Sequence, residues 1–228
     1  MRKSSVSFWL PISLLLILMS ASGVNQKKSR VLFFGDSITE AGVKPGGYID
    51  VMNSVLVAQK LENKYELIGS GIGGNKIYDL YLRMETDVLA KKPNIVVIYV
   101  GVNDVWHKQS FGTGTDADKF EKFYNAVIAK LKKENISVIL CTPAVIGERT
   151  DFSNQLDGDL NSYSNIIRSL AQKNGLPLVD LRKAFLDYNL RNNPGNKEQG
   201  ILTTDRVHLN EAGNKLVADE MLKVLRTM

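Results

Sequence analysis

The chain has 228 residues, 44% hydrophobic and 23% charged, a globular composition that suits one domain with a sizeable core. Its net charge of +5 is spread along the sequence with no block of like charge, which argues against a nucleic-acid arm. A single cysteine, Cys141, excludes any intramolecular disulfide, and its setting in the apolar run "ISVILCTP" predicts a buried strand thiol.

The first segment reads as an export signal. Arg2 and Lys3 precede an almost wholly apolar stretch from Phe8 to Met19, and Ser20 to Gly23 supply small residues for cleavage. The apolar run is shorter than the ~20 residues of a membrane-spanning helix. No cysteine stands near the cleavage region, which argues against a lipid anchor. The expectation is a signal peptide over 1–23, a secreted or periplasmic mature protein over 24–228, and no stable membrane insertion after cleavage.

From there, strands and helices alternate. "RVLFFG" (30–35) predicts a first strand and "GGYIDVMNSVLVAQK" (46–60) a helix. "YELIGSG" (65–71) predicts a second strand, followed by a helix over 75–92. "NIVVIYVG" (94–101) is the most apolar run and belongs at the centre of the sheet, buried on both faces. A helix over 116–134 leads to a strand over 136–143. A helix over 157–175 follows, with Gly175 as its C-cap, then a short strand "LPLVDL" (176–181) and a last helix over 210–227. Repeated strand–helix units with short connections predict an α/β fold, a three-layer α/β/α sandwich around a parallel five-stranded sheet, in one domain.

Sites in such sheets form at the carboxyl ends of the strands. Ser37 follows the first strand, Gly73-Gly74-Asn75 the second, and Asn103-Asp104 the third. Three polar clusters on neighbouring strand ends predict a pocket. A serine becomes a nucleophile only when a base within hydrogen-bond reach takes its proton, and histidine suits that task near neutral pH. The sequence has two, His107 and His208. His208 has Asp205 three residues before it, a spacing that lets a carboxylate hold one ring nitrogen while the other faces the serine. His107, beside Trp106, falls in a predicted loop over 105–116 and lacks such a partner. Both are candidates to line the pocket, together with the loop over 143–158.

These residues resemble the blocks of the SGNH or GDSL hydrolases. "GDSIT" (35–39), "GSGIGGN" (69–75), "GVND" (101–104) and "DRVH" (205–208) occur in the family's order and spacing across nearly the whole mature chain. The resemblance implies a Ser37–His208–Asp205 triad and an oxyanion hole made by the backbone N–H groups of Ser37 and Gly74 and the Asn103 amide. Gly69 stands where a polar residue is often found, so Gly73 is an alternative to Gly74. Asp36, beside the nucleophile, is expected to be a structural hydrogen-bonder. The implied activity is hydrolysis of short-chain or acetyl esters without metal or organic cofactor. A carbohydrate acetyl ester or a lysophospholipid-like substrate is expected, and export favours acetylated polysaccharide.

Competing readings are weaker. "GSGIGG" (69–74) matches a dinucleotide fingerprint, but it follows the second strand where a dinucleotide fold usually places it on the first, and the next strand ends in "GVND". "DGDLN" (157–161) resembles the start of a calcium loop but has Ser162 and Arg168 where that loop needs Gly and Glu. A catalytically silent carbohydrate- or lipid-binding protein on the same scaffold is argued against by the intact set of blocks. A flavodoxin-like FMN binder lacks its phosphate loop.

Overall fold

The computed structural model describes residues 27–228, so the segment read as a signal peptide lies outside the described residues. The five apolar runs form β1 (Ser29–Gly35), β2 (Tyr65–Gly71), β3 (Ile95–Tyr99), β4 (Ser137–Cys141) and β5 (Leu178–Val179). All pair in parallel, in the order β2-β1-β3-β4-β5. All five residues of β3 are buried, as expected for a strand covered on both faces. Phe33 and Phe34 of β1 point to opposite faces and both are fully buried, each contributing about 1.5–3 kcal/mol by its removal from water.

The helices are α1 (Ser37–Gly42), α2 (Tyr48–Ala58), α3 (Ile77–Asp87), α4 (Val102–Phe111), α5 (Ala117–Lys133), α6 (Asp157–Asn174), α7 (Leu181–Asn192) and α8 (Glu211–Leu225). A short 3-10 turn, Leu89–Lys91, follows α3. α2 and α7 pack on α8, whereas α3 and α6 pack on α5; the sheet is flanked by these two groups. The strand order turns back at β1, whose neighbours are β2 and β3. The carboxyl ends of β1 and β3 therefore flank the crevice where open α/β sheets bind ligands.

The segment 105–116, expected as a loop, is mostly helical. α4 starts directly after Gly101, whose φ of +137° no other residue adopts readily, and buries Val102 to Val105. Its later residues are mostly polar, which hid the helix. The strand expected over 176–181 has only two paired residues, because Asp180 caps α7 by accepting from Lys183 N–H and Leu181 already begins that helix.

Candidate active site

β1 delivers the chain to the crevice, and Asp36 turns it into α1. The Asp36 carboxylate accepts the Ile38 N–H at 3.0 Å, capping the helix and leaving Ser37 as its first residue. Asp36 is buried; burial raises its carboxyl pKa to about 7, and the nearby Asp104 charge adds to the rise. α1 lies hard against the end of β2: a Cβ on Gly71 would stand 2.1 Å from the Glu40 nitrogen, so only glycine fits there.

The segment before α8 brings His208 to Ser37. Thr203 and Leu209 form an antiparallel bridge, and Thr204 N–H donates to the His208 carbonyl at 2.8 Å. Within this tight turn Arg206 adopts a left-handed φ of +81°. Asp205 Oδ1 accepts the backbone N–H groups of His208 and Val207 at 2.7 and 3.1 Å. Asp205 Oδ2 lies 2.7 Å from His208 Nδ1, and His208 Nε2 lies 3.0 Å from Ser37 Oγ. With the Nδ1 proton donated to the carboxylate, Nε2 is free to accept the Ser37 hydroxyl proton. Partial burial alone would raise the Asp205 pKa, but hydrogen bonds from the His208 ring and the two backbone N–H groups hold it below the usual carboxylate range.

The loop after β2 forms another wall. A Cβ on Gly73 would stand 3.9 Å from Ser37 Cβ, so this loop faces the serine directly. Gly73 N–H donates to Glu40 Oε2 at 2.8 Å and is occupied. Gly74, at φ +75°, has an N–H with no protein acceptor among the described residues. Asn103, at the start of α4, is buried and donates one amide hydrogen to the Asn75 carbonyl at 3.1 Å. Its second amide hydrogen has no protein acceptor among the described residues.

Residues the motifs did not single out fix this loop. Lys76 Nζ donates to the Gly74 carbonyl, and Ile77 N–H to Asp104 Oδ1. Arg83 donates to Asn75 Oδ1, to the carbonyls of Gly35 and Ser70, and to Asp87, with its guanidinium over the Phe34 ring. One cation thus joins the ends of β1 and β2. Its sequence signal was only an i,i+4 pair with Asp87 on α3. His107 sits on α4 and not in a loop. Its ring meets Phe111 edge-on at 4.8 Å, and its Cε1 would lie 3.8 Å from a Cβ on Gly74. Partial burial and then the Lys76 charge lower its pKa.

Residues 33–216 match the GDSL-like lipase/acylhydrolase family. The chain belongs to that family. It is a carboxylic ester hydrolase with the SGNH fold. Its structure is similar to that of AlAXEase, an acetyl xylan esterase, at 68% identity and a TM-score of 0.84, covering 85% of this chain and 98% of that one. In sequence it is 29% identical over 210 residues to an acetylxylan esterase from Geobacillus stearothermophilus, covering 85% of this chain and 92% of the relative. The solved structure of the acetyl-xylooligosaccharide esterase Axe2 from Geobacillus is 27% identical, with a TM-score of 0.76 over 86% of this chain and 94% of that one. Catalytic mutants of Axe2 replace one serine, one aspartate and one histidine, the aspartate standing three residues before the histidine.

In this SGNH hydrolase, Asp157 and Asp159 of the calcium-like stretch lie in the first turn of α6, and Asp157 pairs with the buried Arg182 at 2.6 Å. No cluster of metal-ligating side chains occurs among the described residues. No described helix is long and apolar enough to cross a membrane. Cys141 is buried on β4, where burial pushes its thiol pKa far up.

Proposed function

We propose that this hydrolase removes acetyl groups from xylan or xylo-oligosaccharides by acyl transfer through Ser37. The observation that carries the mechanism is the unbroken relay from Ser37 Oγ through His208 to Asp205, at 3.0 and 2.7 Å. The substrate assignment is supported by the 68% identity to an acetyl xylan esterase across 98% of that chain.

In this reading His208 Nε2 takes the Ser37 proton as Oγ attacks the acetyl carbonyl carbon. Asp205 keeps the ring in the productive tautomer and stabilises the imidazolium. The oxyanion is held by the N–H groups of Ser37 and Gly74 and by the free Asn103 amide hydrogen. Gly74 is preferred to Gly73 because Glu40 already occupies the Gly73 N–H. His208 returns the proton to the departing sugar oxygen, leaving an acetyl-enzyme. Water then repeats the sequence, releasing acetate and restoring Ser37. No step calls for a metal or organic cofactor. The N-terminal pattern supports the same proposal, since export would carry the enzyme to an extracellular polysaccharide.

The test is acetate release from acetylated xylo-oligosaccharide set against p-nitrophenyl acetate, a p-nitrophenyl ester of a long acyl chain, and lysophospholipid. The proposal expects turnover of the oligosaccharide and of the acetate ester, with steep loss as the acyl chain lengthens. Preference for the long chain or the lysophospholipid refutes it.

A further inference from the structure

Beside the relay lies a polar cleft of about 200 Å³, lined among others by Trp106 and Gln109 of α4, Arg149 and Asn154, Glu198, and Arg206. Arg206 stands between Asp205 and His208 in sequence, and Trp106 lies three residues beyond Asn103 on the same helix. The cleft therefore shares the Asp205–His208 turn and the Asn103 helix with the reacting centre.

Its polar groups are built in place. The loop bearing Arg149 is joined to the segment bearing Glu198 and Arg206 by Gly147 N–H to the Arg206 carbonyl and Glu148 N–H to the Glu198 carbonyl, both at 2.9 Å. Buried Glu148 accepts the N–H groups of Ile201 and Leu202 at 2.8 and 2.6 Å, clamping the same two segments. Asn154 accepts Arg149 N–H and donates to the Arg149 carbonyl, and its amide also reaches Asp157.

On this frame two guanidinium groups flank one carboxylate. Arg206 Nη1 lies 2.7 Å from Glu198 Oε1, and Arg149 Nη2 lies 3.5 Å from Glu198 Oε2. The trio carries a net charge of +1, its side chains are about 40% exposed, and each guanidinium keeps unused N–H groups. Arg206 is held at a left-handed φ of +81°, and its guanidinium is anchored on this side of the turn by Glu198. An aromatic face with planar amides and guanidinium groups suits a sugar ring. A surplus arginine suits a carboxylate.

We propose that this cleft holds the sugars flanking the acetylated unit, and that Arg149 and Arg206 bind the carboxylate of a uronic acid branch on the xylan chain. The inference rests on the xylan reading above. The experiment compares kcat/KM for two acetylated xylo-oligosaccharides, one bearing a uronic acid branch and one unbranched. Each enzyme is judged by the ratio of the two values, so that general damage to the chemistry cancels.

The wild type should favour the branched substrate by about three- to tenfold at low salt, as expected for one partly exposed charge-assisted contact. Arg149→Gln and Arg206→Asn should each bring the ratio towards one, asparagine being chosen because it tolerates the left-handed backbone. Raising the salt concentration should shrink the wild-type preference. Equal kcat/KM for the two oligosaccharides in the wild type, or a preference that survives both substitutions, overturns the inference alone. Failure to deacetylate either oligosaccharide while p-nitrophenyl acetate is hydrolysed overturns the xylan reading and the inference with it.

Discussion

Asp104 gives a quantitative test of how the site is held. It is 0% exposed; its Oδ1 accepts the Ile77 N–H, and its Oδ2 accepts no hydrogen bond from the described residues. Burial raises its pKa from the usual 3.8 to about 7, against the opposing pull of the nearby Thr115 hydroxyl, then of the Ile77 N–H and the Lys76 charge. A carboxyl group raised in this way holds its proton more tightly in the folded protein than in the unfolded chain. The resulting cost is absent below about pH 3.8, grows as pH rises, and is complete above about pH 7. Between pH 5 and pH 8 the shift corresponds to about 2.5 kcal/mol, out of a total stability on the order of 5–15 kcal/mol. Asp104→Asn keeps the acceptor for Ile77 and cannot ionise. Urea unfolding of both proteins at a series of pH values should therefore show the variant gaining about 2.5 kcal/mol on the wild type from pH 5 to pH 8. His107, which titrates in both proteins, cancels in the difference, whereas Asp36, whose pKa the Asp104 charge helps to raise, is relieved in the variant and adds to the gain in the same direction. A flat difference, or one that favours the wild type as pH rises, refutes the reasoning and means that Thr115, the Ile77 N–H and Lys76 together keep Asp104 ionised.

Asn103→Ala should lower kcat by about 100- to 1,000-fold with a small change in KM, because the lost donor acts on the developing oxyanion; steady-state kinetics on p-nitrophenyl acetate reads this directly. His208→Ala should lose nearly all activity across the pH range, whereas His107→Ala should keep the fall in rate towards low pH and change mainly KM. pH–rate profiles that assign the acid limb to His107 contradict the choice of base. Exported protein should begin near Val24 by intact mass, and material retaining Met1 speaks against cleavage.

The sequence and the fold agree most closely where burial is two-sided. Val31 to Phe34 and Ile95 to Tyr99 are apolar without interruption because both faces of β1 and β3 are covered. α7 was not visible because its buried face includes Arg182 and Asn189 beside Leu181 and Phe185, which breaks the apolar period. Arg182 tolerates burial there through Asp157, Asn161 and the Ala144 carbonyl, partners 21 to 38 residues away in sequence. The same holds for the cleft beside the relay. Arg149, Glu198 and Arg206 meet only because main-chain hydrogen bonds join two loops whose residues are about 50 positions apart, a pairing that no local pattern announces. The motif residues were legible because each stands directly after a strand or, in the case of Asp205 and His208, within one turn.

The central claim is that Ser37 is the activated nucleophile, and active-site labelling followed by peptide mass analysis tests it most directly. A fluorophosphonate should add to the wild type once, on the peptide containing Ser37, with loss of acetate release in proportion to labelling. Ser37→Ala should fold, take no label and release no acetate. Label on a different serine, or a Ser37→Ala enzyme that still turns over acetylated xylo-oligosaccharide at a substantial rate, contradicts the account.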